Sequence, residues 1–199
     1  VSVDEILTSP QAVALVLAER SPDGGRVYVI GEPALDAAIT AAGFTLSPLY
    51  EIGAAYVVVG MDRGLSWDKL ATATLNIRAG AVFVGTNPDL TFPTERGITH
   101  GNGAILAALQ AATGIAPIVV GKPEPTMYRQ ALARLKSDPA LTLAIGDRLD
   151  TDILGAVRAE LPSALVLTGV SKRADLEGLA YQPTWVLDNI VELAKDLLA

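Results

Sequence analysis

Six nearly unbroken apolar runs of strand length set the strongest limit on this chain. They are residues 27–30 (Val-Tyr-Val-Ile), 55–59, 81–84, 117–120, 141–145 and 164–167. Apolar residues fill successive positions in these runs rather than alternate ones. A strand built that way is greasy on both faces and needs cover on both, as in a parallel sheet flanked by helices. Helical patterns fall between the runs, at residues 10–20, 33–42, 66–79, 102–113, 125–136, 151–159 and 188–198. Strand-then-helix repetition of this kind defines an α/β fold with a mostly parallel sheet and helical crossovers.

Local signals agree with that reading. Ser66 stands where an N-cap precedes Trp67-Asp68-Lys69-Leu70, and Pro125 stands where a first helical turn tolerates proline. Asp150 or Thr151 is placed to cap the helix running through Ile153 and Leu154. Residues 86–97 are polar, lack periodicity and read as one long loop, a length that in compact proteins is often functional. A domain boundary is expected just after it, near residue 100.

Composition removes several function classes. The 199 residues contain no cysteine, which excludes disulfides, thiolate metal sites and thiol nucleophiles. A single histidine, His100, rules out multi-histidine metal sites and argues against a Ser-His-Asp hydrolase. A net charge of -7 argues against a broad basic surface for nucleic acid. No apolar run approaches the roughly 18 residues of a membrane span. A cytoplasmic soluble protein is the default expectation.

In open α/β sheets, ligands bind outside the carboxyl ends of the strands, so the residues just after each strand carry the chemistry. Gly121-Lys122-Pro123-Glu124-Pro125 follows the fourth run, and Gly146-Asp147-Arg148-Leu149-Asp150-Thr151-Asp152 follows the fifth. Thr168-Gly169-Val170-Ser171 follows the sixth. Three consecutive strands are thus expected to bring a lysine, a carboxylate cluster and a hydroxyl to one edge. That set suits phosphoryl transfer: a hard carboxylate holds Mg²⁺, and a lysine neutralises phosphate charge. Taken singly, each feature has a plainer reading. Lys122 fits a solvated loop, Asp150 and Asp152 fit the first turn of a helix, and Thr168-Gly169 fits a strand-ending turn.

Order and spacing favour the chemical reading. Gly121-Lys122-Pro123, then Gly146-Asp147-Arg148-Leu149-Asp150-Thr151-Asp152-Ile153, then Leu165-Val166-Leu167-Thr168-Gly169-Val170 resemble the third and fourth motifs of haloacid dehalogenase (HAD) phosphatases. The closer resemblance is to the NagD-like, 4-nitrophenylphosphatase and phosphoglycolate phosphatase branch (subfamily IIA). Ile6-Leu7-Thr8-Ser9, residues 57–63 and residues 83–89 match that branch too.

The resemblance implies a Rossmann-like core with a large inserted α/β cap. Residues 1–9 would connect core to cap, residues 10–100 would form the cap, and residues 101–199 would form the second half of the core. Lys122 would hold phosphate and orient the nucleophile. Asp147 would bind Mg²⁺, with Asp152 supporting the metal site through water or second-shell contacts. Asn87 and Asp89 would contact phosphate or substrate. The partner implied is a small phosphorylated substrate, and caps of this branch leave room for a homodimer.

One departure from the family stands out. Its members open the core with Asp-x-Asp-Gly, whose first aspartate attacks phosphorus and whose second protonates the leaving group. The 199 residues contain no Asp-x-Asp-Gly; Asp150-Thr151-Asp152 has the spacing but continues with Ile153. The expectation is therefore a natural protein with a longer N-terminus carrying the nucleophile, hydrolysing a phosphomonoester through an aspartyl-phosphate, with the chain as given inactive. The alternative is a non-catalytic remnant that binds phosphate or a metabolite.

Overall fold

The computed structural model describes residues 2–198, without the side chains of Asp4 and of residues 195–198. The chain is α/β and divides into two compact units, residues 1–121 and 122–199.

The first unit runs α1 (Ser9–Arg20), β1 (Gly25–Ile30), α2 (Pro33–Ala41), β2 (Phe44–Leu46), β3 (Tyr56–Val59), α3 (Trp67–Arg78), β4 (Val82–Gly85), β5 (Thr91–Thr94), β6 (Gly97–His100), α4 (Asn102–Thr113) and β7 (Ile118–Val119). Its sheet has the order β2-β1-β3-β4-β7, with every pairing parallel. All four residues of β3 are buried, which is what an unbroken apolar run requires of a central parallel strand. Val57, Val59 and Phe83 pack with Ile77 of α3 and with Leu106 and Leu109 of α4 in one core.

Helix starts follow from side-chain chemistry. Thr8 and Gln11 form a reciprocal capping box at α1. The Ser66 hydroxyl accepts from the Lys69 N–H at 3.2 Å, as its position in the sequence foretells.

The second unit runs α5 (Thr126–Leu135), β8 (Ala144–Gly146), a π-helical turn (Leu149–Ile153), α6 (Leu154–Arg158), β9 (Ser163–Val166), β10 (Trp185–Leu187) and α7 (Ile190–Leu198). Its sheet has the order β10-β9-β8, again parallel throughout. Leu149, Ile153 and Leu165 form a small buried core under Leu176, Tyr181 and Val186.

Four details differ from the sequence reading. Residues 86–97 are not all loop: β5 and β6 form an antiparallel hairpin whose residues are all exposed, so no face is selected for apolar alternation. The 117–120 run does not stand beside the fifth and sixth runs. As β7 it pairs with β4, through Val84 with Ile118 and Gly85 with Val119. Neither Asp150 nor Thr151 caps the helix after β8, because the π-helical turn starts earlier: the Arg148 carbonyl accepts from both Asp152 N and Ile153 N. Strands β2 and β10 escape that reading because no apolar stretch longer than three residues surrounds either of them.

Asn76 of α3 is fully buried and makes four hydrogen bonds, three to the loop before β3 and one to the preceding turn of its own helix. Its Oδ1 accepts from Gly53 N and Ala54 N, both at 3.0 Å, while its Nδ2 donates to the carbonyls of Glu51 and Thr72. Asn76→Ala strands these backbone groups. The expected cost is about 3 kcal/mol, since a buried polar group left unpaired loses on the order of 1–3 kcal/mol. Urea unfolding monitored by circular dichroism measures it; a change under roughly 0.5 kcal/mol would show that water replaces the amide.

Candidate active site

Strand β8 ends at Gly146 and releases the chain into Asp147-Arg148-Leu149, after which the π-helical turn brings Asp152 back over the start of the loop. The return is close: a Cβ on Gly146 would overlap the Asp152 side chain, so only glycine fits there. π-Helical turns often mark functional sites, because the extra residue re-aims side chains that a regular helix would stack.

Asp152 is 8% exposed, and both of its carboxylate oxygens accept hydrogen bonds. Its Oδ1 accepts from Lys122 Nζ at 2.6 Å. Its Oδ2 accepts from the N–H groups of Asp147 and Arg148, both at 3.2 Å. A buried carboxylate without partners would be strongly unfavourable, and here one ammonium and two backbone donors supply them. Lys122 stays 45% exposed at its side chain, so its charge faces solvent on one side and Asp152 on the other.

Asp147 is held from strand β9's carboxyl side. Its Oδ2 accepts from Val170 N at 2.9 Å, and its own carbonyl accepts from Ser171 N at 3.0 Å. The Ser171 hydroxyl, itself buried, accepts from Leu149 N at 3.0 Å. Among the described residues nothing hydrogen-bonds Asp147 Oδ1.

Tyr128 of α5 closes the arrangement from behind, its hydroxyl donating to the Asp152 carbonyl at 2.8 Å. Burial raises the Tyr128 pKa far above the ordinary tyrosine value, and the nearby Asp152 charge raises it further. The phenol therefore stays a neutral donor across the physiological range.

The structure thus brings Lys122, Asp147 and Asp152 together. Asn87 and Asp89 belong to the first unit, where they follow β4 and line a cavity of about 280 Å³ with Glu32, Met61, Phe92 and Asn102. His100 is exposed on β6. The Thr168 hydroxyl makes no hydrogen bond among the described residues; the backbone N–H groups of Val170 and Ser171 hold Asp147 instead. Sequence reading gave Ser171 no part beyond its place after the sixth run and missed Tyr128, because a serine or tyrosine hydroxyl aimed at backbone carries no motif of its own.

Mg²⁺ is coordinated by oxygen, keeps several waters and takes only one or two protein carboxylates. Asp147 offers that chemistry with one carboxylate oxygen free of protein donors, next to a lysine that carries phosphate-compatible charge. Both oxygens of Asp152 already accept from N–H donors, which suits it to a supporting place beside the ion. No group of three or more His, Cys, Asp or Glu side chains gathers among the described residues. The donor set therefore fits a hydrated magnesium ion on Asp147.

Known proteins resemble the chain along most of its length. Residues 119–193 match the HAD-hydrolase-like family model. An acid sugar phosphatase of Staphylococcus saprophyticus is 39% identical over 98% of this chain and 74% of its own length. The crystal structure of a p-nitrophenyl phosphatase from Bacillus subtilis, described as putative, superposes with a TM-score of 0.87. It is 34% identical over 99% of this chain and 73% of that one. A glycerol phosphate phosphatase from Mycobacterium tuberculosis, solved in complex with magnesium, has a TM-score of 0.89. It is 42% identical over 94% of this chain and 57% of that one. The chain belongs to the HAD-like hydrolase family, in its NagD-like phosphatase branch. It spans about three quarters of the curated relatives it matches. Phosphatases of this family hydrolyse phosphomonoesters and use Mg²⁺. No helix among the described residues is long and apolar enough to cross a membrane.

Tyr128→Phe removes the donor to the Asp152 carbonyl, and about 1 kcal/mol of stability at neutral pH is expected to go with it. The alkaline behaviour carries the sign of the shift. A phenol whose folded pKa is raised contributes stability that is complete below the unfolded value near 10 and declines as pH climbs past it. Wild type should therefore lose stability more steeply above about pH 10 than the phenylalanine variant. Thermal melts at pH 8 to 11 provide the check, and parallel curves would remove Tyr128 from the account.

Proposed function

We propose that this protein is a magnesium-dependent phosphatase of small phosphomonoesters, with Lys122 and Asp147 as its charge-handling groups. The observation that carries the reading is the buried Asp152 carboxylate. It fixes Lys122 Nζ with one oxygen and the Asp147-Arg148 backbone with the other.

Asp147 would hold the magnesium ion, which when bound supplies positive charge against the phosphoryl oxygens. Lys122 neutralises phosphate charge that the ion leaves uncovered, and its ion pair with Asp152 keeps the ammonium aimed before substrate arrives. Asp152 acts as a positioning residue for both. The nucleophile of this reading is the first aspartate of an Asp-x-Asp-Gly motif, which the 199 residues do not contain. Its carboxylate attacks phosphorus, the second aspartate protonates the leaving alkoxide, and water then cleaves the aspartyl-phosphate.

The reading takes the cap from the first compact unit and the core half from the second, with Asn87 and Asp89 on the substrate-binding side. A phosphorylated polyol or sugar is the favoured substrate class, supported by the names of the acid sugar and glycerol phosphate phosphatases to which the chain is similar. A cytoplasmic enzyme, with a homodimer formed through the cap, completes it.

Phosphate release from 4-nitrophenyl phosphate and from glycerol phosphate tests the reading, using the full-length gene product with and without Mg²⁺. Turnover should need the metal, and Asp147→Asn should lower kcat/KM by at least on the order of 100-fold. Tight Mg²⁺ and phosphate binding with no turnover would establish the non-catalytic remnant instead.

A further inference from the structure

The cavity of the first unit contains an atom whose hydrogen bonding the chain itself leaves unmet. Asn102 is 3% exposed and lines the cavity. Its Nδ2 donates to the Val59 carbonyl at 3.2 Å, the Thr86 hydroxyl at 3.3 Å and the Asn87 carbonyl at 2.9 Å. Those three acceptors fix which way round the amide sits, and Oδ1 is left buried without a donor. A buried acceptor of this kind is costly unless a partner arrives from outside the chain.

Two carboxylates line the same cavity, those of Glu32 and Asp89. Both are half-buried, and neither forms an ion pair among the described residues. Glu32 Oε1 accepts from the Arg63 N–H at 3.0 Å, while the Asp89 carboxylate accepts from no donor among the described residues. Asp62, the neighbour of Met61, is treated differently: it is buried and takes Lys69 Nζ at 2.6 Å and Gly64 N at 2.8 Å. Among the described residues no lysine, arginine or histidine lines the cavity, but the ring-bearing Phe92 does.

Helix α4 starts at this cavity, and an open helix N-terminus would favour an anion. Here the chain's own carbonyls cover it. Gly103 N donates to the Asp89 carbonyl at 2.8 Å and Ala104 N to the Gly101 carbonyl at 3.2 Å. The Pro88 carbonyl lies so close that a Cβ on Gly103 would overlap it.

We propose that this cavity binds a small organic ammonium ion. The cavity offers acceptors and negative charge, and the ligand that fits is a donor carrying positive charge. Its N–H groups satisfy Asn102 Oδ1, Glu32 and Asp89 balance its charge, and the face of Phe92 adds attraction for a cation. A volume of about 280 Å³ suits a molecule smaller than a drug. The proposal goes beyond the phosphatase reading and does not rest on it, because it involves neither Lys122 nor Asp147.

Three probes of nearly equal shape and different charge test it: ethanolamine, ethylene glycol and glycolate. Each is titrated at neutral pH and constant ionic strength into the full-length gene product, free of metal and phosphate, and followed by nitrogen–proton correlation NMR. Ethanolamine should saturate, with the Asn102 side-chain amide among the signals that move. The neutral and anionic probes should bind at least on the order of tenfold more weakly. Glu32→Gln and Asp89→Asn keep the side-chain shapes and remove the charges, and each should weaken ethanolamine binding by on the order of tenfold. No saturable binding of ethanolamine, equal binding of ethylene glycol, or unchanged ethanolamine affinity in both variants would overturn the proposal. Turnover of phosphomonoesters is read separately, so either reading can fail while the other stands.

Discussion

A buried negative charge governs the second unit. Asp152 lies almost out of reach of solvent, and such a charge persists only where donors converge on it. Lys122 comes to it from the chain entering the unit, and the Asp147 and Arg148 amides come from the end of β8. Satisfying one carboxylate thus brings together segments that are 30 residues apart in the sequence. Gly146 and the π-helical turn are the local means: one removes the side chain that would block the approach, and the other turns Asp152 back toward the strand it has just left.

Three aspartates stand within six residues, at 147, 150 and 152, and the structure gives each a different environment. Asp152 is buried and consumed by donors. Asp150 is exposed and paired with the guanidinium of Arg148, an interaction that solvent screens heavily. Asp147 is half-buried, with one oxygen engaged and one open. Nothing in the residue type separates them. Motif spacing singles out Asp147 and Asp152 from Asp150, but the difference between those two emerges only from which backbone amides face which oxygen.

The same limit describes what the sequence disclosed about the fold. Continuous apolar runs announced β1, β3, β4, β8 and β9, and the parallel sheets follow from them. Those runs carry their own burial requirement, so they could be read without tertiary information. The β5–β6 hairpin could not: with every residue exposed, it has no face to mark. The pairing of β7 with β4 was equally hidden, since a short apolar strand is compatible with any parallel neighbour and only the packing of α4 against the sheet decides. The contacts of Ser171 and Tyr128 stayed hidden because they fall on backbone atoms, and backbone atoms leave no trace in the residue code.

Asn76 presents the opposite case, a side chain whose attention to backbone liberates its neighbours. It grips the loop before β3 only through the amides of Gly53 and Ala54 and the carbonyl of Glu51. Ile52 contributes its side chain to none of those bonds and projects into solvent. The loop's path is therefore written in α3, and position 52 is free to carry almost any chemistry. In a chain with no native cysteine, a thiol placed there would be unique within these 199 residues. It would give a single rigid attachment point for a spectroscopic probe or a surface tether.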